Sequence, residues 1–97
     1  MTKTEMSIKA TEVAALLKTL THPARLMIAC TLAENERSVG ELESELGVHQ
    51  PTLSQQLTVL REAGIVETRR EAKQIFYRLT DGRIARLVQS LYVIFCA

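Results

Sequence analysis

No run of apolar residues in this chain approaches the roughly 18 or more that a membrane-spanning helix needs. Met1 to Lys9 likewise lacks the apolar centre of a signal peptide. These absences exclude a helical membrane protein and lead us to expect a cytoplasmic chain with no membrane partner. Cys30 and Cys96 are the only cysteines, and they form no Cys-x-x-Cys pair. In a reducing compartment two such residues are not a structural staple by default. Neither sign of charge dominates, since 12 Lys and Arg face 11 Asp and Glu for a net charge of +1. Repeats, linkers and low-complexity stretches are also missing.

What remains suits a single domain over residues 1–97. A chain of 97 residues with 46% apolar content builds a core but buries a modest fraction of its surface. A further interface, such as a homodimer, would add to that burial.

The most informative stretch runs from Gln50 to Val66, QPTLSQQLTVLREAGIV. Leu53, Leu57 and Leu60 recur at helical spacing and form one apolar stripe. Thr52, Gln55, Gln56 and Val59 are expected on the other side. That face is short, uncharged and rich in amides and hydroxyls, and glutamine can pair bidentately with adenine in the DNA major groove. Gly64 is the expected left-handed stop, followed at once by a β-type segment.

Elsewhere the pattern is helical. Ile8 to Leu20 reads as a first helix, and Thr21-His22-Pro23 breaks it, with Pro23 opening a second helix to about Ala33. Ser38-Val39-Gly40-Glu41 matches a capping box that opens a short third helix to Leu46, closed by Gly47. Ile65 to Arg69 and Gln74 to Leu79 read as strands joined by a polar tip, Arg70 to Lys73. Thr80 or Asp81 caps a last helix with Ile84, Leu87, Val88, Leu91, Ile94 and Phe95 apolar, a stripe that serves both core and dimer seam. The expected fold is mainly α with a small two-stranded β-wing. It is a winged helix-turn-helix in which four helices precede the hairpin and a fifth follows it.

This plan points to double-stranded DNA as the partner. Thr52, Ser54, Gln55 and Gln56 are the candidate base-reading residues, with Gln50 and His49 near phosphate, where a helix N-terminus attracts anions. Arg69, Arg70, Lys73 and Gln74 are the candidate wing contacts, against the plainer reading of a solvated hairpin tip. Between Gln50 and Leu79 five cations outnumber three acids, while Glu34, Glu36, Glu41, Glu43 and Glu45 cluster upstream.

Taken together, Leu20-Thr21-His22-Pro23-Ala24-Arg25-Leu26, the Gln50 to Leu60 helix, Leu60-Arg61-Glu62-Ala63-Gly64-Ile65-Val66 and Ile75-Phe76-Tyr77-Arg78-Leu79 resemble the ArsR/SmtB family of bacterial winged-helix repressors. The resemblance implies a homodimer, paired through its first and last helices, that binds an inverted-repeat operator and leaves it when an inducer arrives. Many such repressors sense metals. The places matching a Cys-x-Cys site on the third helix hold Ser38 and Gly40, and Asp81 to Ala97 contains no His for a last-helix site. His22 and His49 read as capping or packing residues, so neither a metal nor another cofactor is expected.

The resemblance is nearest to the sulfide- and persulfide-responsive branch, the BigR/SqrR-like repressors, which carry a cysteine at the positions of Cys30 and Cys96. It implies a redox sensor in which a persulfide or related oxidant links these thiols and releases the DNA. The plainer reading is two buried small hydrophobes. A metal-responsive repressor, a small thiol redox enzyme and a winged-helix protein-interaction module are the rival readings.

Overall fold

The computed structural model describes the whole chain, Met1–Ala97. Its elements are α1 (Lys3–Thr19), α2 (Pro23–Glu34), β1 (Arg37–Ser38), α3 (Val39–Leu46), α4 (Thr52–Glu62), β2 (Val66–Glu71), β3 (Gln74–Leu79) and α5 (Gly82–Phe95). The expected winged helix-turn-helix is present. The wing is an antiparallel hairpin, and β1 adds a third strand in the order β1-β3-β2, with Arg37 opposite Tyr77 and Ser38 opposite Phe76. A strand of two residues is too short to show period-2 alternation, so the sequence carries no signal for it.

Local chemistry accounts for each boundary. His22 caps α2 through Nδ1, which accepts from the Ala24 N–H at 3.1 Å, and Pro23 follows in the first turn. This makes the histidine a capping residue. The Ser38–Glu41 capping box is complete: Ser38 Oγ accepts from the Glu41 N–H at 3.1 Å, and Glu41 Oε1 accepts from the Ser38 N–H at 2.8 Å. Gly47 and Gly64 take left-handed backbone with φ of 66° and 75°, which ends one helix and turns α4 into β2. The wing tip is tighter than expected, because the strands run on to Glu71 and from Gln74 and leave only Ala72 and Lys73 as the turn.

The core is aliphatic and small. Leu42 of α3, Leu53, Leu57 and Leu60 of α4, Ile28 and Ala29 of α2 and Val88 of α5 are at most 1% exposed. Ile65 and Val66 at the start of the hairpin, Ile84 of α5, Leu32 of α2 and Leu20 just after α1 complete it. Arg37 is buried with them and donates to Glu45 at 2.9 Å, to Glu34 at 3.1 Å and to Asn35, tying the end of α2 to α3.

Two elements stand apart. No residue of α1 is buried, and Met6, Ile8, Val13 and Leu17 are exposed. The far end of α5 exposes Tyr92, Val93, Ile94 and Phe95, although Ile84 and Val88 on the same helix are in the core. These projections draw the radius of gyration out to 14.3 Å, against about 13 Å for a compact chain of about 100 residues. No helix is long and apolar enough to cross a membrane.

Asp81 caps α5 by accepting from the Arg83 N–H at 2.8 Å, and the Arg83 guanidinium donates to it at 2.7 Å. Hydrogen bonds from the Arg83 side chain, then from its backbone, hold the Asp81 carboxyl down to about 2. The native state thus favours the ionised form, so the cap stabilises fully above the unfolded value of about 3.9. That contribution is lost as pH falls through the folded value. Urea unfolding of Asp81→Ala is expected to show a deficit at neutral pH that closes as pH falls from about 4 towards 2. A deficit independent of pH would show that the carboxylate charge is not the source.

Candidate nucleic-acid interface and thiol pair

Burial of the leucine stripe decides which side of α4 faces outward. Thr52, Ser54, Gln55, Thr58 and Val59 are exposed, and Gln55 makes no side-chain hydrogen bond within the protein. Beside them Thr58, Arg61, Glu62 and Tyr77 line a cleft of about 360 Å³ between α4 and the wing. Helix and hairpin therefore form one continuous surface.

The candidate residues divide within that surface. Gln50 and Ser54 bind each other: the Ser54 N–H and Oγ–H donate to Gln50 Oε1 at 3.0 and 2.5 Å. Gln50 acts as a side-chain cap for the first turn of α4, a role for which its sequence position offered no cue. His49 is exposed and uses its backbone carbonyl to accept from the Leu53 N–H at 3.0 Å. Gln56 is half-buried on the flank of the helix, where its Oε1 accepts from Arg25 at 2.8 Å. Arg25 was missed as a participant, although it lies in the Leu20 to Leu26 motif, because a contact across 31 residues leaves no local pattern.

The wing residues separate by the pleat. Thr68 and Arg70 share a face with Ile75 and Tyr77, which is the α4 side. Arg69 and Gln74 point to the opposite face. Arg69 is fully engaged there, donating to Glu36 at 2.6 Å and Glu71 at 2.6 Å, with its guanidinium 4.6 Å from the Phe76 ring centroid. The same contact holds the Glu36 carboxyl below its ordinary range and raises the guanidinium above its own. Arg69 is thus a clamp between the wing and the α2–α3 corner. Arg70 and Lys73, at the exposed tip, form no ion pair.

The cysteines lie on α2 and at the end of α5. Cys30 is half-buried on α2 and opens into a groove of about 420 Å³ lined also by Glu34, Val88, Tyr92 and Val93. Cys96 is exposed and closes α5, its N–H donating to the Tyr92 carbonyl at 2.7 Å. Burial pushes the Cys30 thiol above its ordinary range, and negative charge on Cys96 pushes it further. Three His, Cys, Asp or Glu side chains gather nowhere in an arrangement that could hold a metal ion.

A family model described as bacterial regulatory protein, arsR family, matches residues 22–68, from the α2 cap into β2. A biofilm growth-associated repressor of Agrobacterium fabrum is 73% identical over 92 residues, covering 95% of this chain and 79% of that protein. The chain belongs to the arsR family. Among solved relatives, the transcriptional repressor BigR from Xylella fastidiosa superposes with a TM-score of 0.91 at 67% identity, covering 100% of this chain and 99% of that one. A homodimeric winged helix-turn-helix DNA-binding domain from Mycobacterium bovis, a possible ArsR-family regulator, gives a TM-score of 0.77 at 31% identity, covering 97% and 86%. The matched family segment contains Cys30 and the whole of α3 and α4, while α1, α5 and Cys96 fall outside it.

Exposure orders the two thiols, and burial also holds the Cys30 thiol above its ordinary range. At neutral pH iodoacetamide is expected to label Cys96 several-fold faster than Cys30, read by peptide mass spectrometry, because thiolate fraction and access govern the rate. Equal rates would contradict the observed burial of Cys30.

Proposed function

We propose that this chain is a homodimeric transcriptional repressor that binds an inverted-repeat operator and is released when Cys30 and Cys96 become linked. The observation that carries the DNA reading is the exposed, uncharged face of α4 centred on Gln55, continuous with the unpaired cations Arg70 and Lys73. Polar side chains on a helix read base edges in the major groove, and wing cations contact the phosphates beside it. The repressor names of the similar proteins from Agrobacterium and Xylella support the same reading.

The dimer completes the proposal. α1 is a helix of 17 residues with none buried, and it needs a partner surface to cover Met6, Ile8, Val13 and Leu17. The exposed end of α5 offers a second apolar face, and the relative from Mycobacterium bovis is homodimeric. Twofold symmetry would present two copies of α4 to successive major grooves, about 34 Å apart.

The Cys96 thiolate attacks the sulfane sulfur of a persulfide, R–S–SH, and expels R–S⁻, leaving Cys96 as its own persulfide. The Cys30 sulfur, losing its proton, then attacks the Cys96 Sγ and expels hydrosulfide. The Cys30–Cys96 disulfide so formed is the two-electron oxidation product of the thiols, and the sulfane sulfur is reduced to sulfide. Closure ties the end of α5 to α2 beside the dimer faces. A typical coupling of about 1–3 kcal/mol between such a site and DNA would suffice for release.

Binding to palindromic against random duplexes tests the first half. Gln55→Ala is expected to cost about 1–3 kcal/mol and relax preference at one base pair. Arg70→Ala should weaken every sequence alike and lower the salt slope by about one, whereas Arg69→Ala changes that slope less. Operator affinity untouched by both Gln55→Ala and Arg70→Ala would refute the assigned surface. For the second half, persulfide should lower operator affinity of the wild type by about fivefold or more. It should leave a Cys30→Ser, Cys96→Ser variant bound. Equal release of that variant would sink the thiol mechanism.

A further inference from the structure

We propose that Glu36, although acidic, strengthens DNA binding by fixing the wing before DNA arrives. This rests on the reading of Arg70 and Lys73 as phosphate contacts. The third strand supports only part of the hairpin. β1 pairs with β3 at two positions, Arg37 opposite Tyr77 and Ser38 opposite Phe76. Past Phe76 the hairpin holds two more cross-strand pairs, Arg70 with Ile75 and Glu71 with Gln74, joined by Ala72 and Lys73. Every residue from Arg70 to Ile75 is exposed. A two-stranded ribbon with no packed face is marginally stable in water. The segment that carries both cations therefore gains little order from the core.

Its order comes from a polar network at the last supported position. Arg69 sits opposite Phe76 in the register, and Phe76 sits opposite Ser38. The Arg69 side chain crosses β3, with its guanidinium 4.6 Å from the Phe76 ring centroid, and reaches Glu36, the residue before β1. Nε donates to both Glu36 carboxylate oxygens at 3.0 and 2.9 Å, and Nη2 donates to Oε1 at 2.6 Å. Nη1 donates to Glu71, inside the unsupported segment, at 2.6 Å. The outer strand and the tip are thus tied to the far edge of the sheet. Isolated surface ion pairs contribute little, because two long side chains must be ordered to make them. Here the fold has done much of that ordering. Glu36 precedes Arg37, which is buried and bound to Glu34 and Glu45, and the Phe76 ring confines the guanidinium.

Glu36 acts on DNA affinity in two ways of opposite sign. Its charge repels a polyanion. Its bonds hold the tip in one conformation, so less freedom is lost when DNA binds. The second effect outweighs the first. Arg69 neutralises the carboxylate at 2.6 Å, on the sheet face away from α4. Charges in solvent are also screened beyond about 8 Å at physiological salt. Opening the clamp, by contrast, frees the whole tip and both of its cations at once. Glu36 is therefore a positioning residue for Arg70 and Lys73 and not itself a DNA contact.

The test compares wild type and Glu36→Ala in DNA affinity and in amide hydrogen exchange of the free protein. If charge alone decided, removal of a carboxylate would tighten binding. The expected result is the reverse: affinity falls by about fivefold on palindromic and random duplexes alike, as when the competent fraction of chains drops to roughly one fifth. The salt slope should stay within about half a unit of wild type, because the bound complex makes the same phosphate contacts. In the free protein the amides of Arg70, Glu71, Gln74 and Ile75 should exchange faster, while those of α2 and α4 keep their rates. Arg69→Ala opens the same network from the wing side and should raise tip exchange equally, so it reports even if Glu36→Ala folds poorly. Unchanged or tighter DNA binding by folded Glu36→Ala would overturn the inference, as would tip amides at wild-type rates in either variant. A slope lowered by about one or more would also overturn it, since a contact would then be lost rather than order. Wild-type affinity indifferent to both Arg70→Ala and Lys73→Ala would instead overturn the wing contact itself.

Discussion

The insertion of Leu53, Leu57 and Leu60 between α2, α3 and the base of the wing governs the rest of this molecule. All three are at most 1% exposed, and burial of each leucine stabilises by roughly 1.5–3 kcal/mol. Because a helix turns every 3.6 residues, fixing that stripe fixes the direction of every other side chain on α4. A rotation that brought Gln55 inward would expose leucine and bury an unpartnered amide, both unfavourable. The uncharged outer face is thus held in place by apolar packing on the opposite side.

The weak net charge finds its explanation in how the acids are used. The upstream group that looked opposed to nucleic acid is engaged in structure: Glu34 and Glu45 hold Arg37, and Glu36 holds Arg69. Glu41 completes a capping box, and Glu43 accepts from the Gln50 N–H at 3.3 Å. The three carboxylates of Glu34, Glu45 and Glu36 take up two arginines, Arg37 and Arg69. Arg61, Arg70 and Lys73 carry no ion pair and are exposed on α4 and the wing.

The thiols belong to a separate region. α2 is the element common to both, since it carries Arg25 against α4 at its start and Cys30 against α5 further on. A covalent change at Cys30 therefore acts on a helix that packs directly behind the candidate DNA-reading face. α1 and the end of α5 leave their apolar residues uncovered in the single chain, so the region around Cys96 borders surface that a second copy would occupy.

Most helix limits and the hairpin were legible in the chain itself, because they rest on local signals: the Ser38–Glu41 box, Pro23, Gly47 and Gly64, and the leucine spacing in α4. The outward position of Gln55 followed from the same spacing. The start of α1 was not legible, since apolar spacing begins at Ile8 whereas the helix begins at Lys3, with Thr2 capping it through the Glu5 N–H. Long-range pairing was not legible. The β1 strand, the Arg69–Glu36 clamp and the Arg25–Gln56 bond join residues that no periodicity relates, and Gln50 and Ser54 showed their mutual bond only once the turn before α4 was built. Amino-acid order by itself determined which side chains α4 turns outward, since that follows from backbone geometry and apolar burial. Only the tertiary structure decided which of those polar groups remain free, because a donor or acceptor is occupied or vacant according to what the fold brings within about 3 Å of it.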